Sequence, residues 1–519
     1  MKQLNILFIL LTIFISLNPT VMFSYPFNPS PTIGPDGTIY VASRNRGGVY
    51  AISGISNNSL ANTDWPKFRH DIKNTGNAAS INDLKNFSGL TLRPTILWAF
   101  NTPDQTEFYS SPALAQIDGE WLLFIGGVDG YFYAIKATDG TQKWRKRSIF
   151  DPASIPYEPE DVFYASPSVN QNVPTPHVYC GGESGELYAY LTTPGINWDW
   201  RYPDSSYDGL TYNVIHSSVA VSGNRLYVGM NCSYGNDYRL YAIQDIGYTC
   251  AVAWSYHTGI AIISSPAVDA SGNIFFGDDS GYVTCLNSSG ALIWRRRIST
   301  GVYRIISSPA VSSNALYAGT DGFLFALNRS TGTQIWKYPS TGTGLEGIFS
   351  SPVIGADGAV YFGCDDGELY SLTPTGLLKP GFPIILSDYV ITSTPAIALD
   401  GTVIVYTRED SVFGISPTGT VLWSISLQSI PGIEETRSLM QEARGLEVYP
   451  NPAKTYFAVR STLNAQGSIL RMYDVSGKVV KEVRCKKQET RVSLDGIKYG
   501  VYFVQFGNET LTKKLVITK

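Results

Sequence analysis

Eight short apolar segments of this 519-residue chain share one pattern: an aromatic or hydroxyl residue, a very small residue, then an aliphatic or aromatic one. The small residues are Ala51, Ala134, Ala189, Ala242, Cys285, Ala326, Ser371 and Gly414, and from Ala189 onward they recur every 41 to 53 residues. A fixed period in that range marks a repeat architecture, and four short strands per unit make the blade of a β-propeller. Composition agrees: 49 Gly and 29 Pro with only 16% charged residues suit an all-β protein of tight turns. The architecture implies a platform; it does not by itself imply an activity.

The unit from Ser307 to Trp336 shows the grammar most clearly. Ser307-Ser308-Pro309-Ala310-Val311 opens as the inner strand and Ala315 to Gly319 follows. Asp321-Gly322 then turns the chain, because Gly accepts the positive φ of a primed hairpin. Phe323 to Leu327 returns, and Ile335-Trp336 begins the outer strand. Equivalent openings stand at Ser111, Ser166, Ser218, Ser265, Ser351 and Thr394, and outer tryptophans at Trp144, Trp198 or Trp200, Trp254, Trp294 and Trp423. The unit opening at Ser351 lacks its Trp and has Phe382 nearby. Seven units are complete. An eighth is split, with Thr38–Ala42 and Gly48–Ile52 separated from a third strand, Ile96–Phe100, by a long insertion. Closing the ring removes sheet edges, so eight blades are expected, with seven as the alternative. The small residues are expected to be structural, keeping a narrow slot for a ring from the neighbouring blade.

Ala326-x-Asn328-x-x-Thr331-Gly332-x-x-x-Trp336 resembles the tryptophan-docking motif of the pyrroloquinoline quinone (PQQ) repeat family, the quinoprotein alcohol dehydrogenase-like propellers. Ala134, Asp139, Gly140 and Trp144 repeat it, and Asp64 to Asp71 with Thr75-Gly76 is similar to the family's opening stretch. The resemblance implies the propeller over residues 30–427. It also raises PQQ and Ca²⁺ as cofactors. The enzymes of the family hold their quinone near an adjacent-cysteine disulfide and a stacking Trp, and this chain has no Cys-Cys pair. No cofactor and no metal site is therefore assigned, with PQQ and Ca²⁺ left open.

After Leu427 the repeat stops. Residues 428–445 read as a linker, and residues 446–519 carry 13 Lys and Arg against 6 Asp and Glu, leaving 26 against 37 in the rest of the chain. Alternating strands from Phe457 to Ile517 suggest a small Ig-like β-sandwich. The segments Val448-Tyr449-Pro450-Asn451-Pro452-Ala453, Met472 to Lys478 with Gly477, and Tyr499-Gly500-Val501-Tyr502 resemble the C-terminal sorting domain of the type IX secretion system. That resemblance implies the type IX machinery as a partner. It places the protein outside a Gram-negative cell or on its outer surface, after periplasmic passage. Residues 1–24, with Lys2 and the apolar run Leu4–Leu17, read as a signal peptide. The run is shorter than the roughly 20 residues a bilayer needs, so no transmembrane segment is expected after processing.

Six cysteines in so long a chain make no disulfide framework. Cys180 and Cys285 are expected as buried thiols, and pairing of Cys232 with Cys250 is left open. No phosphate loop, nucleophile–base pair or basic nucleic-acid stripe is evident in the propeller. The acids Asp129, Asp278, Asp279, Asp321, Asp365 and Asp366 lie at hairpin tips and read as turn formers. The candidates for binding are loop residues. Tyr109, Tyr164 and His216 directly precede the openings of three successive blades, where later blades have Ile263, Ile306 and Phe349. Tyr157, Tyr202 and Tyr207 lie in the loops nearby. Aromatic faces bordered by hydrogen-bonding groups suit sugar rings. The expectation is a secreted or cell-surface, non-catalytic propeller that binds a glycan or a protein or acts as a scaffold. The alternative is an extracellular PQQ-dependent oxidoreductase or a propeller-type polysaccharide-degrading enzyme.

Overall fold

The computed structural model describes residues 28–53, 71, 73–75, 94–102, 106–147, 162–171, 173, 175–193, 200–202, 213–232, 237–299, 304–342, 344–427, 446–449, 456–461, 469–473, 478–484, 489–498, 500–506 and 512–517. The chain divides into two compact units, Met1–Ser426 and Leu427–Lys519. The first is an eight-bladed propeller of antiparallel sheets, with no α-helix among its described residues. Blade 1 runs Thr32–Ile33, Ile39–Ser43, Gly48–Ile52 and Ile96–Asn101, so the strand beyond the long insertion does complete the first sheet. Blade 4 has the longest strands, Arg225–Cys232, Asp237–Asp245 and Cys250–His257.

A ring of hydrogen bonds counts the blades. The backbone N–H of Ser30 donates to Oγ of Ser111, and the same bond passes from Ser111 to Ser166, Ser218, Ser265, Ser308, Ser351 and Thr394. Thr394 then donates to Ser30 Oγ and closes the circle, with distances of 2.8 to 3.3 Å throughout. Each hydroxyl at a blade opening thus satisfies the inner-strand amide of its neighbour, a buried bond worth about 1 kcal/mol. Ser30-Pro31 is the opening of the first blade.

In seven blades the small residue sits between two rings of the same sheet, and in blade 8 Gly414 sits between Ile404 and Trp423. Tyr317, Ala326 and Trp336 are cross-strand partners, and the Trp336 ring reaches over Ala326 to lie 5.7 Å from Tyr317. The rows Tyr40–Ala51–Trp98, Phe124–Ala134–Trp144, Tyr179–Ala189–Trp200, Tyr227–Ala242–Trp254 and Phe275–Cys285–Trp294 repeat this at 5.8 to 6.1 Å. At Gly414 an added Cβ would stand 2.2 Å from Trp423 Cε2. The small residue therefore makes room for the tryptophan of its own blade, not for a ring of the neighbour. In blade 7, Phe382 takes the place of the Trp and packs 5.9 Å from Tyr361 across Ser371.

The tryptophan edge then fastens the next blade. Trp98, Trp144, Trp254, Trp294 and Trp336 donate Nε1–H to the carbonyls of Ala137, Thr192, Ser288, Arg329 and Pro374 at 2.9 to 3.0 Å. The Trp294 face covers Gly332, which has φ of +68° and whose Cβ would lie 2.5 Å from Trp294 Cε3. This is the physical content of the docking motif. Two seams differ. Between blades 3 and 4, Trp200 donates instead to the buried carboxylate of Asp245, which also accepts from Tyr179 and bonds His177 Nδ1 at 2.9 Å. Between blades 8 and 1, Ser43 and Tyr406 donate to Asp410, and Arg46 lies 3.6 Å from the same carboxylate.

Cys180 and Cys285 are buried thiols. Cys232 pairs across from Asp237 and Cys250 across from Asp245, the two ends of one strand. Eight residues of strand span about 26 Å, far beyond the roughly 7 Å that a disulfide bridges, so these two cysteines do not join.

In the second unit, Leu446–Tyr449, Tyr456–Ser461 and Glu489–Ser493 form one antiparallel sheet. Val479–Arg484, Ile469–Tyr473, Gly500–Phe506 and Thr512–Ile517 form another. Among the described residues of this unit, Leu470, Met472, Val492, Leu494 and Val504 are buried. Tyr449 ends the first strand and Gly500 opens the sixth, while Pro450, Asn451, Pro452 and Gly477 lie outside the described residues.

Candidate funnel-mouth site

Tyr109, Tyr164 and His216 each stand two residues before a serine of the ring, at the start of the inner strands of blades 2, 3 and 4. The ring of serines holds these positions at one level, so equivalent side chains become neighbours. The Tyr109 and Tyr164 rings meet edge to face at 5.1 Å and 67°, and Tyr164 meets His216 the same way at 5.4 Å and 74°. All three are half-buried. Tyr202 is not part of this arc: it lies in the outer strand Trp200–Tyr202 and packs on Tyr241 of the next blade. Tyr157 and Tyr207 fall outside the described residues.

Two further residues shape the arc. Arg44, from the hairpin of blade 1, places its guanidinium 4.6 Å from the Tyr109 ring centroid, and Tyr109 donates to Glu107 Oε2 at 3.0 Å. Burial pushes His216 down to about 4, so its imidazole is neutral at physiological pH. Burial, reinforced by Glu183 and Tyr109, pushes the Tyr164 phenol up to about 12. Burial also raises the Glu183 carboxyl above its ordinary range. The arc therefore presents neutral rings with polar edges, a surface suited to stacking and hydrogen bonding rather than to proton transfer.

The other half of the mouth is acidic. Glu183, Asp279, Asp321 and Asp365 all follow a strand-ending glycine by two residues, and Arg44 and Arg408 hold the equivalent place in blades 1 and 8. The adjacent acids are turn formers: Asp278 accepts from the amides of Ser280 and Tyr282, and Asp366 from that of Glu368. Asp279, Asp321 and Asp365 do something different, each keeping a buried Oδ1 with no hydrogen-bond partner among the described residues. Burial, with Asp278 and Asp321 adding repulsion against the relief of Arg304, pushes Asp279 up to about 6. Burial and the charges of Glu346, Asp321 and Asp366 push Asp365 up to about 7. Among the described residues no three His, Cys, Asp or Glu are grouped to hold a metal ion.

Residues 447–518 match the family model of the secretion system C-terminal sorting domain, and residues 244–378 match the model described as outer membrane protein assembly factor BamB. Beta-agarase A of Zobellia galactanivorans is 31% identical over 108 residues, which are 19% of this chain and 20% of that protein, so the match spans about a fifth of the relative's length. Two solved structures share the fold at a TM-score of 0.50. Quinohemoprotein alcohol dehydrogenase from Comamonas testosteroni is 12% identical, with 78% of each chain covered; a europium-containing methanol dehydrogenase is 14% identical, with 75% of this chain and 82% of that one covered. Among the described residues no helix is long and apolar enough to cross a membrane. The sorting domain marks the protein for export to the cell surface or the extracellular space by the type IX system. The chain thus joins an eight-bladed propeller of PQQ-type repeats to a C-terminal type IX sorting domain.

Proposed function

We propose that the propeller is a non-catalytic binding module, delivered outside the cell by its sorting domain, that takes a glycan or a protein segment at the funnel mouth. The observation that carries this reading is the arc itself. Three consecutive blades present Tyr109, Tyr164 and His216 in unbroken edge-to-face contact, where the equivalent Ile263 and Ile306 are buried core residues. Three half-buried rings with phenol and imidazole edges offer a sugar both a stacking face and hydrogen-bond partners. The partial match to an assembly-factor propeller keeps a protein ligand beside the glycan.

Two features support a reading without a quinone. The described tryptophans are committed to outer strands, apart from Trp121 at the start of the second strand of blade 2. The sequence also offers no adjacent cysteines. No catalytic step is assigned.

A glycan array probed with the wild type, Tyr164→Ala and His216→Ala tests the proposal. Loss of a central aromatic anchor costs about 2 kcal/mol, roughly a 30-fold weakening. Unchanged array binding in both variants would remove the arc as the site.

A further inference from the structure

The insertion in blade 1 returns to the propeller far from its own blade. Between Gly48–Ile52 and Ile96–Asn101, Lys73, Asn74 and Thr75 reach the inner strands of blades 4, 5 and 6. The amide of Val268 donates to the carbonyl of Lys73, and that of Val311 to the carbonyl of Thr75, both at 2.9 Å. Between them Asn74 donates its side-chain amide to the carbonyls of Pro266 at 3.1 Å and Ser218 at 3.4 Å. Asn74 is fully buried and adopts φ of +58°, the left-handed conformation that Asn tolerates better than most residues.

One carboxylate shapes this turn. Asp71 Oδ1 accepts from the amides of Lys73 and Thr75, its Oδ2 accepts from the Thr75 hydroxyl at 2.6 Å, and its carbonyl accepts from the Asn74 amide. The segment is therefore held in shape by its own bonds before it meets the inner strands.

The serine ring fixes its depth. Tyr109, Tyr164 and His216 lie two residues before the ring serines, whereas Val268 and Val311 lie three residues after Ser265 and Ser308. Strand residues advance about 3.3 Å each, so the arc and the segment stand on opposite sides of the ring.

We propose that Asp71, Lys73, Asn74 and Thr75 form a built-in stopper that closes the central channel at the end away from the aromatic arc. The funnel then has one mouth, and no polymer threads through it. This rests on the proposed arc only in its consequence, that a ligand enters and leaves on the arc side; the stopper itself is independent of any ligand.

Hydrogen exchange of the full chain, read residue by residue, tests it. In the wild type the amides of Val268 and Val311 exchange slowly, because they pair with Lys73 and Thr75. Asp71→Ala removes the side-chain bonds to Lys73 and Thr75 and speeds exchange at both amides by about tenfold or more. Phe275, paired within blade 5, serves as the control and does not change. Should the variant loosen the whole blade, Phe275 reports it and the wild-type rates decide. Exchange of Val268 and Val311 at the rate of solvent-exposed amides in the wild type overturns the proposal, as does an Asp71→Ala variant with both rates unaltered. Protection at these amides in a protein whose arc variants bind normally would leave the stopper standing and remove the arc.

Discussion

The two halves of the funnel mouth are built on one scaffold and carry opposite chemistry. In blades 2 to 4 the residues before the ring serines are Tyr109, Tyr164 and His216, half-buried and touching one another. In blades 5 and 6 the same positions hold Ile263 and Ile306, buried in the core, and the mouth is edged instead by Asp279 and Asp321, while blade 7 has a half-buried Phe349 together with Asp365. The serine ring and the strand-ending glycines do not distinguish the halves. Specificity therefore resides in the residues that the repeat leaves unconstrained, which is what a binding platform requires.

The scaffold should fail equally on both sides. A Cβ at Gly181 would lie 2.2 Å from Ile215 Cγ2, and one at Gly319 2.7 Å from Ile348 Cγ2. Gly181→Ala and Gly319→Ala should each cost about 1–3 kcal/mol by overpacking the next blade. Denaturant midpoints check this, and a cost on one side only would break the equivalence.

Acid and base should then separate the halves in sign. Asp279 and Asp365 are raised to about 6 and about 7 from the ordinary carboxylate value near 4. From about pH 4 to 7 the folded state holds protons that the unfolded chain has lost, so these groups make stability fall as pH rises. His216, lowered to about 4 from an ordinary value near 6.5, acts in reverse: its contribution is present above about pH 6.5 and is lost as pH falls toward 4. Asp365→Asn should gain melting temperature over the wild type more at pH 8 than at pH 5. His216→Asn should blunt the loss of stability between pH 6.5 and pH 4. Parallel curves for either variant and the wild type would contradict the assignment.

The smallest effect concerns Arg44, which supports the arc from blade 1. A cation over an aromatic face contributes about 0.5–1 kcal/mol, so Arg44→Ala should weaken ligand binding by about threefold and leave the melting temperature unmoved. A loss as large as that of Tyr164→Ala would make Arg44 a direct ligand contact instead.

Much of this was legible in the sequence, because the repeat is periodic and its rows are local. Aligning the openings was enough to set Tyr109, Tyr164 and His216 side by side. Ser30-Pro31 is a weak opening in the sequence because only the two-residue strand Thr32–Ile33 follows it, although the Ser-Pro pair is the same signal as elsewhere. Spacing does not identify the partner of the small residues, since it cannot say whether a ring crosses its own sheet or the next. Arg44 was hidden because it comes from a different loop type than the tyrosines it adjoins. Asp279 could not be told from Asp278, as both sit in one turn and only side-chain direction separates them. The role of Asp71–Thr75 depends on contacts with blades on the far side of the ring, which no local pattern encodes.

A titration of one array-identified ligand against the wild type, Tyr164→Ala and Ile306→Ala, with melting temperatures taken in parallel, tests the central claim most directly. Tyr164→Ala should bind about 30-fold more weakly with its melting temperature nearly intact. Ile306→Ala, at the equivalent position of the acidic half, should lose about 2–5 kcal/mol of stability while the folded protein binds as the wild type does. Equal affinity in the wild type and Tyr164→Ala, or an equal loss in both variants, would contradict the account.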